Sequence, residues 1–563
     1  MRGKSFWRSL SLASALLIAA LAPSLAVAEL APNIDTSLSP VELYRLEHCE
    51  NPRADMAVRS PWHKAGFAFW AVGGALALVA AGFGLASAVR LPCARRIGEM
   101  ALLLPALTLP WLAPGRYFPS AQAIARTLGD WLAPSSAMPP EGLYEALWIQ
   151  LFRLIEPTDL ALFVIARSAA TLVLVFIFII AALTWRDRRA GLTAAVIAGG
   201  GGLFLSHAAS TAFLTLPLTL LTAAWATLLM ASRPRAYYAW PLAALLTASV
   251  VFAAPALVAP VILLALGVGL SVERRQERAG VLGLALIGLA AGLFLRSKLL
   301  SASGADWQWG WSWTTGWPPL LALAALIAGL AFGVKERRLP ALLALPAALL
   351  ALFLAPRIPA AFAASGAWPL VAVVLVSPLA GGGLWRTAAE IGRWTPLIVI
   401  LWLGLLIGPA LYEARRHPAS VEEQLLAFQR ESLARLRETG GVLYRVENGQ
   451  QPGSFFADSL AGHRDRLCLR DRETVGQDPP QLGQTWIYFG LECRQDKKEG
   501  KPTPDECRWY RKLFAFEETY SLPIAMPRPA DSPPQVQTVI FARVAGVASA
   551  PSPPAKEEPP ANP

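Results

Sequence analysis

Residues 159–189 read DLALFVIARSAATLVLVFIFIIAALTWRDRR. From Leu160 to Thr184 the run is apolar or small apart from Arg167. A helix needs about 20 such residues to cross a bilayer. The run then meets Arg186, Arg188 and Arg189. It is too continuously apolar to alternate as a strand, which a membrane barrel would require. Similar runs recur between short charged stretches. Across all 563 residues, 55% are apolar and 16% are charged, against about 25% charged in soluble domains. The class is therefore an all-α polytopic membrane protein. The spans are expected at roughly 66–89, 99–114, 159–184, 191–207, 211–231, 237–253, 254–271, 279–295, 318–334, 339–355, 367–382 and 395–412, about 12 in all.

The net charge of +11 resides largely in the loops between these spans. Alternate loops hold sixteen basic residues, and the short loops opposite hold three, Arg296, Lys298 and Arg357. By the positive-inside rule the rich loops are cytoplasmic. The charge is topology charge, and no nucleic-acid partner is implied. Residues 1–28 read as a signal peptide, with Arg2, Lys4 and Arg8 before an apolar core and Ala26-Val27-Ala28 as cleavage site. An uncleaved first helix is the alternative. Both mature termini then lie on the exported side of a bacterial inner membrane.

Three parts are expected outside: residues 29–64, the 115–158 loop and a C-terminal region. An extra transmembrane helix with its cytoplasmic loop fills 65–98, and the core runs 99–412. Residues 413–547 read as a small exported α+β domain. It should have an amphipathic helix at 420–438 and strands at 442–444, 486–489 and 539–541. Residues 548–563 read as a disordered, Pro-rich tail. Cys49, Cys468, Cys493 and Cys507 fall outside, where disulfides persist. Cys493 with Cys507 and Cys49 with Cys468 is one of the three pairings open. A zinc site competes weakly, since no CxxC knuckle is present.

The long exported loop carries the specific pattern. It contains Ile124-Ala125-Arg126, Gly129-Asp130-Trp131, Pro139-Pro140 and Leu143-Tyr144, and the next span opens with Ile165-Ala166-Arg167-Ser168-Ala169. In order and spacing this resembles the first exported loop of the GT-C membrane glycosyltransferases, among them the protein mannosyltransferase-like enzymes and the lipid A aminoarabinose transferases. The resemblance implies a GT-C-like core and a polyprenyl-phosphate-linked sugar as donor. It also implies transfer to an acceptor hydroxyl on the exported face, with membrane lipids and the lipid-linked sugar as partners. A positioned carboxylate would take the acceptor's proton, and basic side chains would neutralise the leaving phosphate.

The chain departs from the family where those groups belong. No Asp or Glu occurs from Ala101 to Gly129, and Met138 replaces the lysine before the double proline. Ser206 to Pro217 contains His207 but no carboxylate. The candidate catalytic residues are therefore Asp130, Glu141 and Glu145, with Asp130 equally readable as a turn or helix cap. The donor phosphate-binding candidates are Arg126, Arg167 and Arg357; the first two could instead snorkel to headgroups. The sugar-stacking candidates are Trp309, Trp311 and Tyr144, although Trp307 to Trp317 also reads as an interfacial aromatic belt. No metal site is indicated. The rival to an enzyme is a catalytically inactive scaffold or export component that binds a periplasmic protein through 413–547.

Overall fold

The computed structural model describes residues 61–89, 103–113, 147, 159–209, 215–233, 236–299, 319–353, 367–392, 401, 404–405, 408, 424, 428, 431–432, 435, 442–446, 469–470, 485–490, 512–526 and 535–547. They fall into two compact units, a helical bundle and a sheet domain. The signal peptide, residues 29–60, all five cysteines and the tail lie outside the described residues.

The bundle comprises α1 (Pro61–Val89), α2 (Leu103–Leu112), α3 (Asp159–Trp185), α4 (Arg188–Gly200), α5 (Gly202–Ala208), α6 (Thr215–Ala231), α7 (Ala239–Ala253), α8 (Val258–Leu270), α9 (Arg275–Leu299), α10 (Pro319–Lys335), α11 (Leu339–Leu342), α12 (Ala344–Phe353) and α13 (Ala367–Glu390). Among the described residues four helices are long and apolar enough to cross a membrane: α1, α3, α9 and α13. Shorter apolar helices, α6, α7, α8, α10 and the α11–α12 segment, accompany them. The chain is a mostly helical membrane protein. Of the expected last span, 395–412, only Leu401, Gly404, Leu405 and Gly408 are described, each helical.

Two expected spans are interrupted. The 191–207 span breaks at Gly201, whose backbone is extended (φ −68°, ψ 131°). The run Gly199 to Gly202 explains this, because consecutive glycines add backbone entropy to the cost of a helix. The 339–355 span is interrupted more mildly, by a single turn residue, Leu343, that keeps a right-handed helical backbone (φ −75°, ψ −10°).

α3 and α13 form the centre. Most of α3 from Val173 onward is fully buried, whereas α1 and α9 expose Leu78, Phe83, Leu286 and Phe294. Apolar burial does not drive helices together inside lipid, so close approach and polar contacts must do so. Gly381, Gly382 and Gly383 supply the closest approach. Gly381 abuts Ala194 of α4, Gly382 lies under the Trp185 indole, and Gly383 abuts Gly329 of α10. A Cβ on Gly288 or Gly292 of α9 would come within 2.7 or 2.6 Å of the Ala244 or Ala248 carbonyl of α7.

Helix ends bring a second requirement, since their last carbonyls have no partner in the helix and lipid offers none. Arginines from other spans provide one. Arg188 Nε donates to Ala88 O at the end of α1 (3.0 Å). Arg296 Nη1 donates to Phe252 O at the end of α7 (2.7 Å). The helix dipole adds to each bond by placing negative potential there. Arg188, expected among the cytoplasmic loop charges, is thus 2% exposed and held against a helix end.

In the sheet domain, β1 (Val442–Val446), β2 (Leu469–Arg470), β3 (Thr485–Phe489), β4 (Phe514–Met526) and β5 (Gln535–Val547) form one mixed sheet in the order β2-β1-β3-β5-β4. β1 runs parallel to β2 and β3, and β5 runs antiparallel to β3 and β4. Alternation puts Ile487, Phe489, Ile540, Ala542 and Val544 into one apolar cluster. The other face stacks Trp486 on Phe541 (4.4 Å, 7°). Helical residues cover that face: Phe428 meets Tyr488 (6.4 Å), and Arg435 lies 3.8 Å from the Tyr520 ring centre.

Candidate functional site

The 115–158 loop leaves the bundle after α2 and returns at α3, and the described residues show how its base is held. Arg167 sits two turns into α3. Its Nη2 donates to Ala113 O, just past the end of α2 (3.0 Å). One turn further, Thr171 Oγ1 donates to Arg167 O (2.9 Å) and accepts from Trp111 Nε1 (3.2 Å). The i, i+4 spacing puts Arg167 and Thr171 on one face of α3, where Trp111 and Ala113 meet them. The Arg167 guanidinium also lies 5.6 Å from the centre of the buried Phe163 ring. The two strands of chain entering and leaving the loop are thus fixed to each other.

α6 meets α3 at the same level through its threonines. Thr215 Oγ1 donates to Ala166 O (3.1 Å) and Thr219 Oγ1 to Ala169 O (2.9 Å). α5 packs against α2, α3 and α13 and carries His207, which is 2% exposed. Leu147, inside the loop sequence, is helical and buried.

Of the nine candidate residues, Arg167 alone is described. Asp130, Glu141, Glu145, Arg126, Arg357, Trp309, Trp311 and Tyr144 lie outside the described residues. Arg167 closes a helix end as Arg188 and Arg296 do, so it has a structural task whatever further role it has. A guanidinium carries five N–H donors, and Ala113 engages one of its nitrogens. Trp111, Thr171, Thr215 and Thr219 were not legible as partners. Tryptophan at a span end and threonine in a span are common, and only the packing of α2 and α6 on α3 selects these. Among the described residues no three His, Cys, Asp or Glu side chains converge as a metal site would need.

No family model and no curated protein matches the chain. Among solved structures it is similar to the cryo-EM structure of the arabinofuranosyltransferase AftD from Mycobacteria, at 15% identity and a TM-score of 0.43. The match covers 81% of this chain and 40% of that one, so the chain spans about two fifths of that structure's length.

Proposed function

We propose that the chain is a GT-C-like integral membrane glycosyltransferase that takes a sugar from a polyprenyl-phosphate carrier on the exported face of the membrane. The observation that carries this reading is the ordered loop pattern from Ile124-Ala125-Arg126 through Gly129-Asp130-Trp131 and Pro139-Pro140 to Ile165-Ala166-Arg167. The bond from Arg167 to Ala113 supports it, because it puts a cation at the base of that loop. In the proposed reaction an acceptor hydroxyl attacks the anomeric carbon, and the bond from that carbon to the phosphate oxygen breaks. The hydroxyl proton passes to a carboxylate, Asp130 first with Glu141 and Glu145 behind it. Polyprenyl phosphate leaves with its charge met by Arg126, Arg167 and Arg357. Tyr144, Trp309 and Trp311 would stack on the sugar.

A second reading is an inactive scaffold that binds a periplasmic protein through residues 413–547. The absence of any carboxylate from Ala101 to Gly129 favours it. The test is release of polyprenyl phosphate from radiolabelled polyprenyl-phosphate sugars by the purified full chain, with a bacterial envelope extract added as the source of acceptor hydroxyls. On the enzyme reading Asp130→Asn slows release by about 100-fold or more. An unchanged rate removes Asp130 as the base. No release from any such donor by the wild-type chain leaves the scaffold reading standing.

A further inference from the structure

The end of the bundle away from the loop gathers the α3–α4 turn, the α6–α7 turn, the α10–α11 turn and the end of α13. Its carboxylates are engaged. Asp187 accepts from the Arg189 backbone N–H (2.9 Å) and from Trp385 Nε1 (2.8 Å). Glu336 accepts from Arg338 (2.8 Å) and pairs with Arg386 (3.1 Å). Arg186 and Arg233 stand apart from these pairs, and no described carboxylate pairs with either. Burial, and then the nearby positive charge of Arg186, push the Arg233 guanidinium below its ordinary pKa, while Tyr238 acts in the opposite sense. The bonds from Thr215 to Ala166 and from Thr219 to Ala169 set α6 parallel to α3, so the end of α6 with Arg233 comes level with the α3–α4 turn that holds Arg186.

Three further observations bear on this pair. Arg186 has φ +55°, a left-handed conformation that a non-glycine residue holds only against a steric cost. Its side chain is exposed at the bundle surface. Beside the pair, Phe83 of α1 and Tyr238 at the head of α7 are in ring contact (4.7 Å), and both are exposed. Tyr237 is exposed next to them, and Trp240 Nε1 donates to Ala231 O at the end of α6 (3.2 Å). Aromatic residues of this kind settle at headgroup depth. Above Phe83, α1 exposes Leu78 and Val79 on its outer surface. Basic pockets between spans take anionic headgroups.

We infer that Arg186 and Arg233 form a binding site for the phosphate of an anionic phospholipid, with its acyl chains lying along Phe83, Tyr238 and the exposed side of α1. The charge supplies the attraction and the two turns supply two directions of N–H donation. The aromatic pair makes the ligand a lipid, because a soluble anion would gain nothing from an apolar approach. This site lies at the opposite end of the bundle from the loop and does not depend on the proposed glycosyl transfer.

The test is native mass spectrometry of the full chain in neutral detergent, offered phosphatidylglycerol or phosphatidylethanolamine with matched acyl chains. The wild type should retain phosphatidylglycerol in preference. Arg186→Gly with Arg233→Gln should bind it roughly 30-fold more weakly. Glycine suits φ +55° better than arginine, and an unchanged thermal midpoint in Arg186→Gly alone separates lost binding from unfolding. Arg186→Lys with Arg233→Lys should keep most of the preference. Equal retention of both lipids by the wild type, or undiminished phosphatidylglycerol binding by the double variant, overturns the inference. In a lipid-free arm, inorganic phosphate should leave the wild-type thermal midpoint unmoved. A rise equal to that from phosphatidylglycerol, lost in the double variant, would make the ligand a free anion and overturn the lipid assignment.

Discussion

Replacing Gly382 by alanine tests the packing node at the centre of the bundle. The new Cβ would overlap Cε2, Nε1 and Cδ2 of Trp185. That indole is fully buried, and its Nε1 donates to Pro378 O (2.9 Å). The helix cannot retreat to make room. Gly381 already abuts the Ala194 backbone on one side, and Gly383 abuts Gly329 on the other. The indole must therefore swing and give up its bond, leaving two buried polar atoms. Overpacking costs about 1–3 kcal/mol, and a hydrogen bond between spans contributes about 0.6 kcal/mol. The expected loss is about 2–4 kcal/mol, or a fall of about 3–5 °C in thermal midpoint for a unit of this size. The assay is survival of the monodisperse full chain in detergent after heating, read by size-exclusion fluorescence. Gly82→Ala is the control, since nothing lies within 4 Å of its Cβ. It should leave stability unchanged or raised, as alanine favours helix over glycine. Combining Gly382→Ala with Trp185→Phe should cost less than the two separate losses added together, because the smaller ring admits the methyl. Wild-type stability in Gly382→Ala, or an equal loss in Gly82→Ala, would refute the reasoning.

Arg167→Ala should lower thermal stability by about 1.5–3 kcal/mol, the range for a hydrogen bond to a charged group, whether or not the chain transfers sugar. A kinetic role in binding the donor phosphate would add a raised KM in Arg167→Lys, where a purely structural role would leave KM alone. In the sheet domain, Trp486→Ala should cost about 3–5 kcal/mol because its ring is 1% exposed and stacked. Arg543→Ala should cost under about 1 kcal/mol, since its pairs with Glu517 and Glu518 are partly open to water; urea unfolding of the full chain, followed by tryptophan fluorescence, separates the two.

The membrane class, the helices and much of the strand pattern were legible because each depends on local composition. A run such as Phe163 to Trp185 is apolar over its own length, and Thr485 to Phe489 is β-branched and aromatic over its own length. The long β4 was missed, since Glu517, Glu518 and Pro523 interrupt its apolar pattern. Gly201 and Leu343 broke spans that hydropathy runs straight through, because an apolar average is blind to a backbone turn. At the candidate site, the sequence supplied the loop pattern and named Arg167, but its reach to Ala113 is a matter of packing.

The amino-acid sequence by itself determined that this chain enters a membrane as helices and where its cations cluster, since hydropathy and charge act on each segment separately. Only the tertiary structure decided what those cations do. Arg188 closes the end of α1 a hundred residues earlier, and Arg167 closes the base of the loop. The same guanidinium serves as topology charge or helix cap according to the carbonyl that a distant helix brings to it, and periodicity along one segment holds no record of that neighbour.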